Sequence, residues 1–339
     1  MPIIQTGQQA ATTTLSNKTR PWRKMIRCDV GESDLGIDVI NQSIADHYPE
    51  KLIYAEGDSW FDKFTPIPNP RTNLLQEIRL PWHSVVVDVT TIGDESADVV
   101  NGRQAFKTQF LFREYAFDTI LLSAGGNDLK NLYAAKIDQY NTGGFVPAEI
   151  AQLSRPSEYA SHFGAFIENI KKFIQFRDKA ENAVTRQAPL LVHGYDYLQP
   201  RPAKAGIFSG GSLGRGPWLY PALFAAGFND VQMRSAADAV VDQLNTMLAR
   251  LVEPLTNVYL IDSRGLINPA PAGSTSESEH WLDEIHPSSV GFEKLAKCCW
   301  NKPLAEVLGH SFEPGDLIPA CRFTNTSTAL ADLPIPTTA

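Results

Sequence analysis

Leu52-Ile53-Tyr54-Ala55-Glu56-Gly57-Asp58-Ser59 is a short apolar run that ends in glycine, aspartate and serine. An apolar run without alternation suits a strand covered on both faces. Gly57 can supply a tight turn at its end, and the carboxyl ends of parallel strands are where open α/β sheets hold ligands. Far downstream, Asp283 and His286 stand three residues apart, with Pro287 directly after the histidine. A serine hydroxyl is a poor nucleophile until a histidine takes its proton, and that histidine works best when a carboxylate fixes its tautomer. Ser59, His286 and Asp283 are thus a candidate nucleophile, base and orienter for acyl transfer.

Working outward, four more short β-branched segments follow: Ser84-Val85-Val86-Val87-Asp88-Val89, Thr119-Ile120-Leu121-Leu122-Ser123, Leu190-Leu191-Val192-His193 and Val258-Tyr259-Leu260-Ile261. Between them, Tyr159, Phe163, Phe166, Ile167, Ile170, Phe173 and Ile174 recur at helical spacing, as do Met233, Ala236, Ala237, Val240, Val241, Leu244, Met247, Leu248 and Leu251. Strand alternating with helix predicts an α/β chain with a parallel sheet and right-handed crossovers, a three-layer α/β/α sandwich of five strands. An amphipathic element near 36–48 (Ile37, Val39, Ile40, Ile44) is expected to pack on the sheet or cap its edge. Residues 1–50 read as an N-terminal extension, partly disordered or packed on the core. The main domain spans 51–302, with loop insertions near 130–156 and 198–231, and 303–339 form a C-terminal tail.

The chain has 339 residues, 43% of them hydrophobic, and a net charge of -8, which suits a sizeable core and argues against nucleic-acid partners. Residues 1–27 nevertheless carry Lys18, Arg20, Arg23, Lys24 and Arg27 with no acid, and read as a disordered tail, a docking or secretion-related arm, or a transit peptide. No secretory signal or long apolar span occurs, so the expectation is a soluble chain made in the cytoplasm without stable membrane insertion, with signal-independent export left open. Nothing in the sequence sets an oligomeric state. Cys28, Cys298, Cys299 and Cys321 lack C-x-x-C spacing and read as buried or idle thiols.

Two more blocks end at strand termini: Thr91-Ile92-Gly93-Asp94 and Ala124-Gly125-Gly126-Asn127-Asp128. An acyl-transfer enzyme must stabilise the oxygen that gains charge in its tetrahedral intermediate. The backbone N–H groups of Ser59 and Gly93 and the side-chain amide of Asn127 would form a three-donor oxyanion hole, each donor worth roughly 2.7–4 kcal/mol at the transition state. Pro287 pushes His286 to extended backbone just before a helical pattern, so the base is loop-mounted. Asp283 can then accept from one ring nitrogen while the other faces Ser59; the alternative is a solvated acid among Glu277, Glu279 and Glu284.

In this order the blocks resemble the SGNH (GDSL) hydrolase superfamily: Gly57-Asp58-Ser59-Trp60, Thr91-Ile92-Gly93-Asp94, Gly125-Gly126-Asn127-Asp128 and Asp283-Glu284-Ile285-His286-Pro287. The resemblance covers about 55–300. It implies a flavodoxin-like sheet and a Ser-His-Asp esterase or lipase mechanism without metal or organic cofactor. Trp60 replaces the leucine of the family's longer signature, a change that bears on the acyl pocket.

Competing motifs read less well. Gly210-Gly211-Ser212-Leu213-Gly214 matches G-x-S-x-G, but a nucleophile elbow needs a strand before and a helix after, and this segment lies among glycines and Pro217. Glu277, Glu279, His280, Asp283 and His286 lack the i, i+4 histidine spacing of a zincin. His193 reads as a packed or substrate-contacting residue near the site. Trp60, Phe61, Phe208, Trp218 and Tyr220 suit either an acyl chain or a sugar face, with Trp60, His193 and Trp218 the expected substrate-binding residues. The preferred function is hydrolysis of a small-molecule, lipid or glycan carboxylic ester. The alternatives are a carbohydrate O-acetylesterase or O-acyltransferase, and, from another class, a catalytically silent binding module.

Overall fold

Uninterrupted β-branched runs can be buried on both faces only in the middle of a layered fold, and the computed structural model places them there. It describes residues 20–31, 35–62, 72–131, 163–204 and 216–312. Lys18, Tyr159, the Ser212 motif, Phe208, Cys321, the tail beyond 312 and nearly all of the 130–156 insertion lie outside the described residues.

Six strands form one parallel sheet: β1 (Ile26–Asp29), β2 (Lys51–Gly57), β3 (Ser84–Asp88), β4 (Thr119–Ser123), β5 (Leu190–Gly194) and β6 (Val258–Asp262), in the order β1-β3-β2-β4-β5-β6. All five segments read as strands become strands, and the order of β2 to β6 is the doubly wound, flavodoxin-like one. β2 pairs on one side with β3, Ile53 opposite Val86, and on the other with β4, Ile53 opposite Thr119. The chain leaves β2 first to one side and then to the other. The loops after β2, β3 and β4 therefore diverge at their carboxyl ends and leave a crevice, the usual ligand position in such sheets.

The sixth strand comes from the segment read as an extension. Ile26–Asp29 pairs with β3 in parallel, Ile26 opposite Val85 and Asp29 opposite Asp88. Met25, Cys28 and Val30 are buried, while Arg27 is held by the carboxylates of Asp88 and Asp62. Arg20 and Lys24 pair with Glu50 at 2.6 Å and Glu77 at 2.9 Å. Arg20, Lys24 and Arg27 of the basic stretch are thus tied to acids of the body. A four-residue strand with two charged members carries too little apolar signal to stand out in sequence.

Every residue of β3, β4 and β5 is buried, so both faces of the sheet are covered. The two predicted helical stripes form α4 (Gly164–Asp178) and α5 (Asp230–Val252), and a further helix, α3 (Gly102–Glu114), precedes them, each in contact with the next. α5 starts where Asn229 accepts from the Gln232 N–H in a capping box, and it buries Val240, Val241, Leu244 and Leu248. Each such side chain contributes about 1.5–3 kcal/mol when fully buried. α1 (Ile37–His47) lies on β1 and β3 through Ile40, but Val39 is 49% exposed and points away. A second group comprises α2 (Ser59–Asp62), Leu74–Glu77, α6 (Ser289–Leu295) and the π-helical turn Ala296–Trp300 that holds Cys298 and Cys299. Cys28 and Cys299 are buried, and burial pushes the Cys28 thiol up. No helix among the described residues is long and apolar enough to cross a membrane.

Candidate active site

β2 ends at Gly57 with φ +147°, and a Cβ there would lie 2.2 Å from the carbonyl oxygen of Ser123. Only glycine permits this approach of the β2 and β4 ends. The Asp58 N–H then donates to that same Ser123 oxygen at 2.9 Å, and the chain turns directly into α2, with Ser59 as its first residue.

Ser59 Oγ lies 2.7 Å from His286 Nε2. On the other side of the ring, Nδ1 lies 2.8 Å from Asp283 Oδ2 and 2.9 Å from Oδ1. Asp283 Oδ1 also accepts the backbone N–H groups of Ile285 at 2.9 Å and His286 at 2.8 Å. The carboxylate thereby fixes both the loop and the ring, and Nδ1 carries the proton that faces it, leaving Nε2 as acceptor for the serine. Asp283 is fully buried, so it is not one of a solvated acidic cluster. His280 does not join the three: its Nδ1 accepts from the Asn268 N–H at 3.0 Å, and burial lowers its pKa. Among the described residues no group of three or more His, Cys, Asp and Glu is arranged to hold a metal ion.

Asn127 follows β4 and lines a narrow, mostly apolar pocket with Ser59, Leu129, Leu198, Val241 and Leu244. Its Oδ1 accepts from Lys130 Nζ at 2.7 Å, which fixes the orientation of the amide because an ammonium can only donate. Its Nδ2 donates one hydrogen to the Asp94 carbonyl at 2.9 Å, leaving a second amide hydrogen. The 91–94 turn is also tied to the serine strand, Thr91 N–H to Gly57 O at 2.9 Å. Gly93 sits in this turn with φ +99°, exposed and outside the lining of the pocket. The N–H groups of Ser59 and Gly93 meet no acceptor among the described residues.

Trp60 is a mortise between the two halves of the site and only edges the pocket. Its indole Nε1–H donates to Ile285 O at 3.0 Å, and its ring packs on His193, Tyr195, Trp281 and Phe292. His193 is fully buried beneath the serine loop, its pKa lowered to about 3 by burial, so it is a neutral packed residue. Trp218 does lie at the site: its half-buried ring meets His286 edge to face, with centroids 6.0 Å apart.

A second Ser-His-Asp network lies underneath. Ser123 Oγ is 3.0 Å from His193 Nδ1 and 3.1 Å from Asp58 Oδ1, while Tyr195 Oη–H donates to Asp58 Oδ2 at 2.5 Å. Here the serine sits between histidine and aspartate, and no carboxylate touches the imidazole. That order cannot activate the serine by the relay a triad uses, in which the histidine is central. Burial raises Asp58 to about 6, and the four buried members of the network, Asp58, Ser123, His193 and Tyr195, form a platform under Ser59.

Three residues without an assigned role in the sequence complete the surroundings. Lys130 backs Asn127. Glu284, inside Asp283-Glu284-Ile285-His286, is buried and accepts four backbone N–H groups. Arg201 is buried, and its guanidinium donates to the carbonyls of Asp283 at 3.2 Å and Trp281 at 3.3 Å. Their charge made them look solvent-facing; the signal that could have found Glu284 is its place between two residues that had to be buried.

No family model matches the sequence, and no curated protein matches it. Among solved structures, the chain is similar to a carbohydrate acetylesterase family member from Sinorhizobium meliloti, with 13% identity, TM-score 0.44, and 77% of this chain and 100% of that one covered. An aryl esterase from M. smegmatis shares 14% identity at TM-score 0.40, covering 76% and 97%. An extracellular lipase from Streptomyces rimosus shares 14% at TM-score 0.39, covering 76% and 98%.

Proposed function

We propose that the chain is a serine hydrolase of carboxylic esters that works through an acyl-enzyme. The observation that carries this reading is the hydrogen-bonded line from Ser59 Oγ through His286 to Asp283, at 2.7 and 2.8 Å. Ser59 Oγ attacks the ester carbonyl carbon as its proton passes to His286 Nε2. The new oxyanion accepts from the N–H groups of Ser59 and Gly93 and the remaining amide hydrogen of Asn127. Collapse breaks the bond to the alkoxy oxygen, which leaves with the proton from His286. Water, deprotonated by His286, then attacks the acyl-serine, and the acid departs as the proton returns to Ser59. Asp283 stays ionised throughout and holds the imidazolium.

We read the small apolar pocket beside Ser59 and Asn127 as the seat of a short acyl group. A short acyl group suits the second reading, an O-acetylesterase acting on a carbohydrate or an acyltransferase that uses a sugar hydroxyl in place of water, although the pocket bears on the acyl side alone. A fluorophosphonate probe should label the wild-type chain, with labelling abolished in Ser59→Ala and retained in Ser123→Ala. Labelling that persists in Ser59→Ala sinks the assignment, and no labelling of the wild type restores the silent binding module. A p-nitrophenyl ester series should show turnover falling with chain length beyond acetate; a preference for long chains would point to a lipase instead.

A further inference from the structure

Burying a carboxylate costs several kcal/mol unless it is well hydrogen-bonded, so a fully buried one beside the base loop calls for a role. Glu284 Oε1 accepts from the N–H of Tyr220 at 2.7 Å and of Arg201 at 3.3 Å. Oε2 accepts from the N–H of Leu219 at 3.1 Å and from that of Trp218. Three consecutive backbone donors, 218 to 220, thus converge on one side chain that is next in sequence to Asp283. The Trp218 ring carried by this segment lies against His286, and Lys130 Nζ sits 6.0 Å from its centroid on the way to Asn127.

We propose that Glu284 is a positioning residue whose carboxylate seats the 218–220 backbone, and with it the Trp218 ring, against His286, so that one anion sets both the base and the wall at its side. The proposal rests on the serine-hydrolase reading of Ser59, His286 and Asp283. The charged and titratable groups that face Glu284 are Arg201, whose guanidinium lies on the carbonyls of Trp281 and Asp283, Asp283 beside it, and His286 and Lys130 across Trp218. Desolvation outweighs its four hydrogen bonds and raises the carboxyl to about 7. In acid the anion is neutralised, one oxygen becomes a donor, and the seat loosens.

Glu284→Gln puts an amide NH2 where an oxygen accepts two N–H groups, whichever way it is flipped. With a short p-nitrophenyl ester near pH 8, kcat should fall about 10- to 100-fold, and Trp218→Ala added to it should cause little further loss. A fully additive double mutant overturns the coupling. A second measurement needs no catalysis. In a His286→Asn background, the fluorescence difference between Trp218 and Trp218→Phe chains should show a step with a midpoint of about 7, set by the ionisation of Glu284. Glu284→Gln should abolish that step. A step unchanged by Glu284→Gln overturns the proposal, as does no step at all, even should Glu284→Gln fail to fold. Failure of the hydrolase reading would show separately, as absence of probe labelling on the wild-type chain.

Discussion

The indole Nε1–H of Trp60 donates to the carbonyl oxygen of Ile285 at 3.0 Å, joining the residue after the nucleophile to the residue before the base across 225 positions of sequence. The serine and histidine loops are thereby braced by a bond that belongs to neither catalytic group. Trp60→Phe would keep most of the ring packing and leave the buried Ile285 carbonyl without this donor. We expect a stability loss of about 1–3 kcal/mol, read as a lower urea midpoint, together with a lower kcat.

Gly57→Ala would place a Cβ 2.2 Å from Ser123 O at φ +147°. The end of β2 must then shift, and Ser59 with it. Activity should fall by about 100-fold or more, with a destabilisation of about 1–3 kcal/mol in chemical denaturation.

Asp283→Asn would present an NH2 or a single oxygen to His286 Nδ1, and the ring would lose its fixed tautomer. The expected loss in kcat is about 10⁴-fold. The fold should survive, because the amide oxygen can still accept the N–H groups of Ile285 and His286, and circular dichroism would check it.

Lys130→Met removes the cation from Asn127 Oδ1. The amide becomes a weaker donor and is held in its orientation by the Asp94 carbonyl alone. Steady-state kinetics should show kcat reduced by about tenfold with KM little changed, against about 10²–10³-fold for Asn127→Ala.

His193 gives a pH dependence of stability. Its folded value is about 3 against an ordinary 6.5, so unfolding takes up a proton between those two pH values. Its contribution is fully present above 6.5 and falls as the pH drops towards 3. Between about pH 7.5 and pH 4.5 this histidine should cost about 2–3 kcal/mol. Denaturant midpoints of wild type and His193→Phe at the two pH values should show the flatter response in the variant.

The sheet was legible because Val85-Val86-Val87 and its counterparts need cover on both faces, and the candidate site because Asn127 and His286 adjoin a glycine or proline and Ser59 stands two residues past Gly57. Periodicity could not disclose Ile26–Asp29, whose Arg27 and Asp29 mask a strand that only pairing with β3 makes sensible. Nor could it show that the rings of Trp60 and His193 pack against other aromatic side chains, since an aromatic near a nucleophile looks the same whether its ring faces the pocket or the core. Glu284 and Arg201 escaped for the opposite reason: charge suggests solvent, and only the tertiary fold supplies the backbone donors and acceptors that let them stay inside.

The strand Ile26–Asp29 also bears on how this protein is handled. Trimming the chain at residue 50, as the limits of the sequence motifs would invite, strips the cover from β3 and bares the peptide groups of Ser84–Asp88 along a run of valines. A parallel edge of that kind recruits strands from other molecules. A shortened version should therefore aggregate during purification while the version that keeps Arg20–Val30 stays dispersed, and the catalytic apparatus would be blamed for a fault that lies at the far border of the sheet.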